Sequence, residues 1–242
     1  MRQIESSNPV LKFARNIAGE GQASFNGILN KTMLSLFLVI LAASYTWFQV
    51  INNGTMPSGL LITGFIISFV GVIGAMVFTS AAPILVPLYS IGEGLVLGAF
   101  SAMFATMYDG IIMQAVLITL GIFLVMLFLY RARIIRATNK FKKVVISATI
   151  GIGVIYLLSM LLGIFGLNIP FLRDSSPIGI GISLVIVIVA SLNFILDFDT
   201  IEYLVYSGAP KKMEWIGALT LLTTLVWLYI EVVRLLALFK DE

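Results

Sequence analysis

The chain has 242 residues, 60% of them hydrophobic and 11% charged, with a formal net charge of +3. Soluble domains carry roughly 25% charged residues, so this composition excludes a soluble core and leaves a polytopic helical membrane protein. Cysteine and histidine are both absent. That excludes disulfides, thiolate metal sites, imidazole ligation of zinc and histidine acid–base chemistry.

Residues 1–31 read as a polar arm of mixed charge with no signal-peptide pattern. A transmembrane domain follows over 32–242. Its continuous apolar runs suit helices rather than the alternating strands of a β-barrel. Span one is expected from about Met33 to Ile51, and the turn Asn52-Asn53-Gly54 leads to span two, about Leu60 to Phe78. Span three covers about Ala82 to Thr106, with Pro83 and Pro87 in its first turns, where proline is best tolerated. After the turn at Met107 to Gly110, span four runs from about Ile111 to Tyr130. A basic linker, Arg131 to Lys143, precedes span five, about Val144 to Phe165. A loop with Asn168, Pro170 and Pro177 leads to span six, about Ile178 to Phe198. The polar segment Glu202 to Glu214 separates it from span seven, about Trp215 to Phe239.

Basic residues set the orientation. The arm carries Arg2, Lys12, Arg15 and Lys31; the four-to-five linker carries Arg131, Arg133, Arg136, Lys140, Lys142 and Lys143; the last loop carries Lys211 and Lys212. With seven spans these share one side, while the opposite loops hold Arg173 beside Asp109 and Asp174. The expectation is a multi-pass protein of the plasma (cell inner) membrane with a cytoplasmic N-terminus and an external C-terminus. The basic residues cluster beside spans, which is a topology pattern and not a nucleic-acid signal. Anionic-lipid contact is a lesser reading of the linker.

Glycines recur in span two (Gly64, Gly71, Gly74), span three (Gly92, Gly94, Gly98) and span five (Gly151, Gly153). Close approach of helix backbones is their default reading, with a hinge or pore-lining role as the alternative.

Charged groups inside the spans are the best functional candidates, because a charge in hydrocarbon is costly. Glu93 lies about eleven residues into span three, near the bilayer midplane, between Gly92 and Gly94. It is either a protonated hydrogen-bonder between helices or a wall residue of a hydrated path, and the flanking glycines are expected to leave its helix surface open. Asp197 and Asp199 lie near the cytoplasmic end of span six. Two positions apart, they diverge by about 200°, whereas Asn193 and Asp197 share a face. Asn193 and Asp197 are expected to face the bundle interior, with Asp199 nearer the interface. Both aspartates could also simply mark the aqueous end of the helix. In span seven, Glu231 and Arg234 stand three apart and suit a structural ion pair.

Several short pieces recur in a telling order. They are Asn8-Pro9-Val10-Leu11 in the arm, Glu93-Gly94 with Gly98 in span three, and Leu196-Asp197 followed by Glu202 and Gly208. The last is Leu225 through Leu236, ending Val233-Arg234-Leu235-Leu236. In these the chain resembles the Bax inhibitor-1 family, also called the transmembrane Bax inhibitor motif family, and looks similar to its bacterial branch. The resemblance implies an all-α membrane fold of seven transmembrane helices, with span seven central and surrounded by the other six. It also implies a pH-sensitive calcium leak, and in eukaryotic members a role in suppressing cell death. A carboxylate pair on spans six and seven is held to gate the path. Asp197 matches the span-six member. Aligned on Arg234-Leu235-Leu236, the span-seven position falls on Thr224; aligned on Leu228-Tyr229, it falls on Glu231. Depth favours Thr224, since Glu231 stands roughly 10 Å farther along the helix, and the dicarboxylate pair is then missing here.

The expected function is therefore passage or sensing of cations, with calcium as the transported ion or protons coupled to it, because calcium prefers oxygen ligands. The alternative is a non-conducting factor that binds a protease or another membrane protein. No enzyme is expected: a His-Glu-x-x-His protease needs histidine, and an aspartyl protease needs aspartates on facing spans. No cofactor is expected and no metal site is assigned. The partner certain from composition is the lipid bilayer; protein partners are not legible.

Overall fold

In hydrocarbon a backbone can satisfy its polar groups only within its own segment or a closed barrel, so each long apolar run folds as a helix. The computed structural model describes residues 21–55, 57–166 and 175–241. Its long helices are α1 (Phe25–Asn53), α2 (Ser58–Val77), α3 (Ala82–Met107), α4 (Ile111–Arg131), α5 (Asn139–Ile164), α6 (Pro177–Tyr206) and α7 (Met213–Lys240). All seven are long and apolar enough to cross a membrane. A short 3₁₀ turn, Thr79–Ala81, leads into α3.

Local signals set the helix ends beyond the apolar runs. Ser24 caps α1 by accepting a hydrogen bond from the Gly27 N–H, so the helix begins at Phe25. The expected arm of residues 1–31 is therefore too long, and Lys31 is a residue of α1. Gly54, at φ 63, closes that helix in the left-handed region where glycine is unstrained. Thr138 caps α5 and Ser176 caps α6, with Pro177 in the first helical turn. Helix α6 continues past Phe198 to Tyr206, so Asp199 and Glu202 are helical. The arm residues Arg2, Lys12, Arg15 and Asn8 to Leu11 lie outside the described residues, as do Asn168, Pro170, Arg173 and Asp174.

The chain order is antiparallel throughout. At one end, called here the arm end, Ala23 N–H donates to the Ala209 carbonyl at 2.8 Å and Lys211 N–H to the Gly21 carbonyl at 3.0 Å. At the far end, Tyr108 donates to Asp241 at 2.5 Å and Lys240 to the Asp109 carbonyl at 2.8 Å.

Helix α7 is the most buried of the seven and packs against α1, α2, α3, α4 and α6. Helix α5 packs chiefly on α6, at the periphery of the bundle, and reaches α7 through Tyr156. Among the described residues of α5 only Val145 is buried. Gly151 and Gly153 face open space, so close packing does not explain them.

Two kinds of contact fill the bundle. Between α2 and α3, Gly64 meets Gly92 and Gly71 meets Tyr89; Gly94 and Gly98 of α3 meet Val39 and Ala43 of α1. Between α4 and α6 the contacts are aromatic. Phe123 lies 5.2 Å from Phe194 and 5.8 Å from Phe198, and Tyr130 lies 5.6 Å from Phe198, centroid to centroid.

Candidate functional site

Asp197 lies on α6 at the seam with α7, within three turns of the arm end. Across the seam it faces Thr224, which is itself buried. The carboxylate oxygen Oδ2 is shielded from solvent and has no hydrogen-bond partner among the described residues. Buried oxygens of this kind are rare in folded proteins. A proton or an oxygen-seeking cation completes such an oxygen. Calcium takes about 6–8 oxygens, more than the three that Asp197 and Thr224 supply together. Water or backbone oxygens would have to complete a calcium shell there.

The depth argument that favours Thr224 over Glu231 agrees with this seam. Glu231 is buried farther along α7, where Oε1 accepts from Tyr156 of α5 at 2.6 Å and from Trp227 at 3.2 Å. Arg234 donates to the same Tyr156 hydroxyl at 2.9 Å and stands 3.9 Å from Glu231 Oε2. The expected ion pair is thus loose, and Tyr156 bridges it. Spacing along α7 could reveal Glu231 and Arg234, but nothing in the sequence pointed to a tyrosine on another span.

Asn193 turns toward α5. Its amide donates to Thr149 and to the Val189 carbonyl, both at 2.9 Å. Asp199 pairs with Lys142 at the start of α5 and is about a third exposed, in keeping with a position nearer the interface. One turn on, Glu202 accepts from Tyr130 and from Arg133, the latter at 2.8 Å. That hydrogen bond raises the exposed Arg133 guanidinium further above its already high range.

The end of α4 shows how firmly this contact is built. Arg133 N–H bonds the Tyr130 carbonyl and Ile134 N–H bonds Leu129, the paired bonds of a Schellman motif. Arg133 occupies its left-handed position at φ 58, where glycine is usual. A side chain there costs about 1–2 kcal/mol. Contact with Glu202, and with the Tyr130 ring at 5.7 Å, offsets it. The linker's cations are therefore structural anchors for the acidic end of α6 as well as topology signals.

Glu93 belongs to another neighbourhood. It lies across from Ser68 of α2, whose hydroxyl donates to the Phe65 carbonyl of its own helix at 3.1 Å. The surface beside it is not open as expected. A Cβ on Gly92 would stand 2.6 Å from the Ser68 nitrogen, and one on Gly94 would stand 2.4 Å from the Val39 carbonyl oxygen. Helices α1 and α2 fill those faces.

One acid escaped the sequence reading. Glu214, in the first turn of α7, is 1% exposed. It accepts from Ser24 N–H at 3.0 Å and from the Ser24 hydroxyl at 3.1 Å, and it pairs with Lys31. The Lys31 ammonium also lies 5.5 Å from the Trp215 ring centre. Gly27 makes room for this carboxylate, since a Cβ there would lie 2.0 Å from Glu214 Oε1. The only advance signal was an acid at a helix start, where it complements the helix dipole.

No curated protein matches the chain. A family model described as Bax inhibitor 1 like matches residues 8–241. That match covers every described helix, including the α6–α7 seam with Asp197, and the chain belongs to the Bax inhibitor-1-like family.

Proposed function

We propose that this protein is a pH-sensitive cation leak, calcium first among its ions, with Asp197 as the gate near the arm end. The observation that carries the reading is the shielded, unpartnered Oδ2 of Asp197, opposed by the Thr224 hydroxyl rather than by a second carboxylate. A site with one carboxylate exchanges one proton or contacts one ion at a time. Gating here needs no proton shared between two acids. Asp199 and Glu202, anchored by Lys142 and Arg133, hold the end of α6 in place. Glu93 acts as a fixed contact between α2 and α3. The protein is not an enzyme.

The arm end faces the cytoplasm in this reading. Lys31, Arg131, Arg133, Arg136, Lys140, Lys142, Lys143, Lys211 and Lys212 all lie toward it, as the rule for basic loops requires. The membrane is the plasma membrane, with Glu242 external. A reporter fused after Glu242 that is active only in the cytoplasm contradicts the orientation.

Liposomes holding only the purified protein and a trapped calcium indicator test the leak. Calcium entry faster than into empty liposomes supports it. Entry no faster than the control leaves the rival reading, a non-conducting membrane factor that binds a protease or another membrane protein.

A further inference from the structure

Helices α1 and α4 pack on α3 and α7 rather than on each other. The gap between them is a cleft of about 780 Å³, floored by α3 and α7. Its walls are apolar: Val39 and Ala43 from α1, Val116 and Leu120 from α4, Leu97 from α3 and Leu225 from α7. The volume falls in the range of about 300–1,000 Å³ typical of ligand sites. Asp197, Glu93 and Glu231 do not line it.

The cleft runs with the membrane normal. From Leu36 to Asn52 its α1 wall spans about 24 Å, against a hydrocarbon leaflet of about 15 Å. It therefore reaches from the midplane to the interface at the far end. Trp47 and Asn52 line the interfacial stretch, where amphipathic rings and amides suit headgroup level. Phe48 and Ile40 flank it and are well exposed, so the opening faces the bilayer.

Polar groups sit at one depth within these walls. The Ser101 and Tyr229 hydroxyls are 2.6 Å apart. Two hydroxyls carry two protons and one serves the bond between them, which leaves the other to donate elsewhere. Thr119, 5% exposed, has no hydrogen-bond partner among the described residues. Ser101 and Thr119 lie about 9 and 12 Å inside the far ends of α3 and α4. Both depths fall within the hydrocarbon leaflet of about 15 Å, at the level of acyl chains. No charged side chain lines the cleft, so it suits the neutral part of a lipid and not its headgroup phosphate.

We propose that this cleft holds one phospholipid from the far-end leaflet. An acyl chain of that lipid lies between α1 and α4 and runs past the Ser101–Tyr229 pair and Thr119 toward the midplane. This lipid is retained in a site of its own, distinct from the lipids that surround the protein, and the proposal does not depend on ion conduction.

The test is native mass spectrometry of the full chain in detergent, titrated with palmitoyl-oleoyl phosphatidylglycerol. Val116→Trp fills the cleft; Val154→Trp places the same ring on the open face of α5 as a control. Thermal melting in the same detergent establishes that both are folded. Wild type and Val154→Trp should each keep one lipid per chain, and Val116→Trp should bind it at least tenfold more weakly. Wild type that strips to the bare chain while still folded overturns the proposal, as does equal retention by the two tryptophan variants.

Discussion

Around α2 and α3, helices touch backbone to backbone through Gly64, Gly71, Gly92, Gly94 and Gly98. Around α4 and α6 the contacts are made instead by large side chains, Phe123, Phe194 and Phe198 among them. Each region contains a membrane carboxylate, and the contact type decides its fate. Where glycine lets backbones meet, α1 and α2 close over both glycines beside Glu93, and Ser68 lies across from it. Where side chains make the contacts, Asp197 Oδ2 and Glu231 Oε2 are shielded and have no hydrogen-bond partner among the described residues. Small residues thus close the backbone around one acid, while side-chain packing leaves oxygens of two others unanswered.

The largest effect is expected at Glu231, the buried acid whose Oε1 takes two hydrogen bonds while Oε2 has no hydrogen-bond partner among the described residues. Glu231→Ala removes the acceptor shared by Tyr156 and Trp227 and the carboxylate beside Arg234, and should cost about 3–5 kcal/mol, the loss seen when one partner of a buried ion pair is removed. Glu231→Gln keeps an acceptor for Tyr156 and should cost much less. Chemical denaturation in detergent measures both. Equal losses would mean that charge, and not hydrogen bonding, holds the cluster.

Next comes the glycine seal. At Gly98 an added Cβ lies 2.2 Å from the Ala43 carbonyl oxygen, so α1 and α3 must separate. Gly98→Ala should lose about 2–3 kcal/mol. Gly151→Ala, on the open face of α5, should lose nothing and gain up to about 1 kcal/mol from helix propensity. A silent Gly98→Ala would break the comparison between the two regions.

Smaller losses sharpen the roles of the acids. Glu93→Ala strands no donor, because the Ser68 hydroxyl is bonded to the Phe65 carbonyl, and should cost less than about 1 kcal/mol, whereas Glu93→Gln should leave stability and calcium flux near wild type. A marked fall in flux with Glu93→Gln would return Glu93 to the pathway. Asp199→Asn breaks a half-exposed pair with Lys142 and should cost less than about 1 kcal/mol. The same denaturation assay reads it, and a loss comparable to Glu231→Ala would contradict its place near the interface.

Depth along the membrane was legible in the sequence; rotation about each helix axis was not. Hydropathy and a fixed rise per residue gave the seven spans, their antiparallel order and the matching depths of Asp197 and Thr224. They could not show that Tyr156 points at Glu231, or that Asn193 turns to Thr149, because those contacts depend on which faces of α5, α6 and α7 meet. Gly98 and Gly151 are the same residue with the same spacing pattern. One is pressed against a backbone and the other faces open space, a difference that only the position of α5 at the periphery of the bundle decides. The Lys31–Glu214 pair was hidden for a further reason. Both residues lie just beyond the apolar runs and read as loop, while Ser24 and the dipole of α7 extend the helices to include them.

Calcium flux into liposomes, compared for wild type, Asp197→Asn and Glu93→Gln across the neutral pH range, tests the central claim most directly. Asparagine keeps the shape of Asp197 and its contact with Thr224 but can neither bind nor release a proton. The account predicts that Asp197→Asn changes the flux and removes its pH dependence, while Glu93→Gln behaves as wild type. A pH-dependent leak that survives intact in folded Asp197→Asn would contradict it.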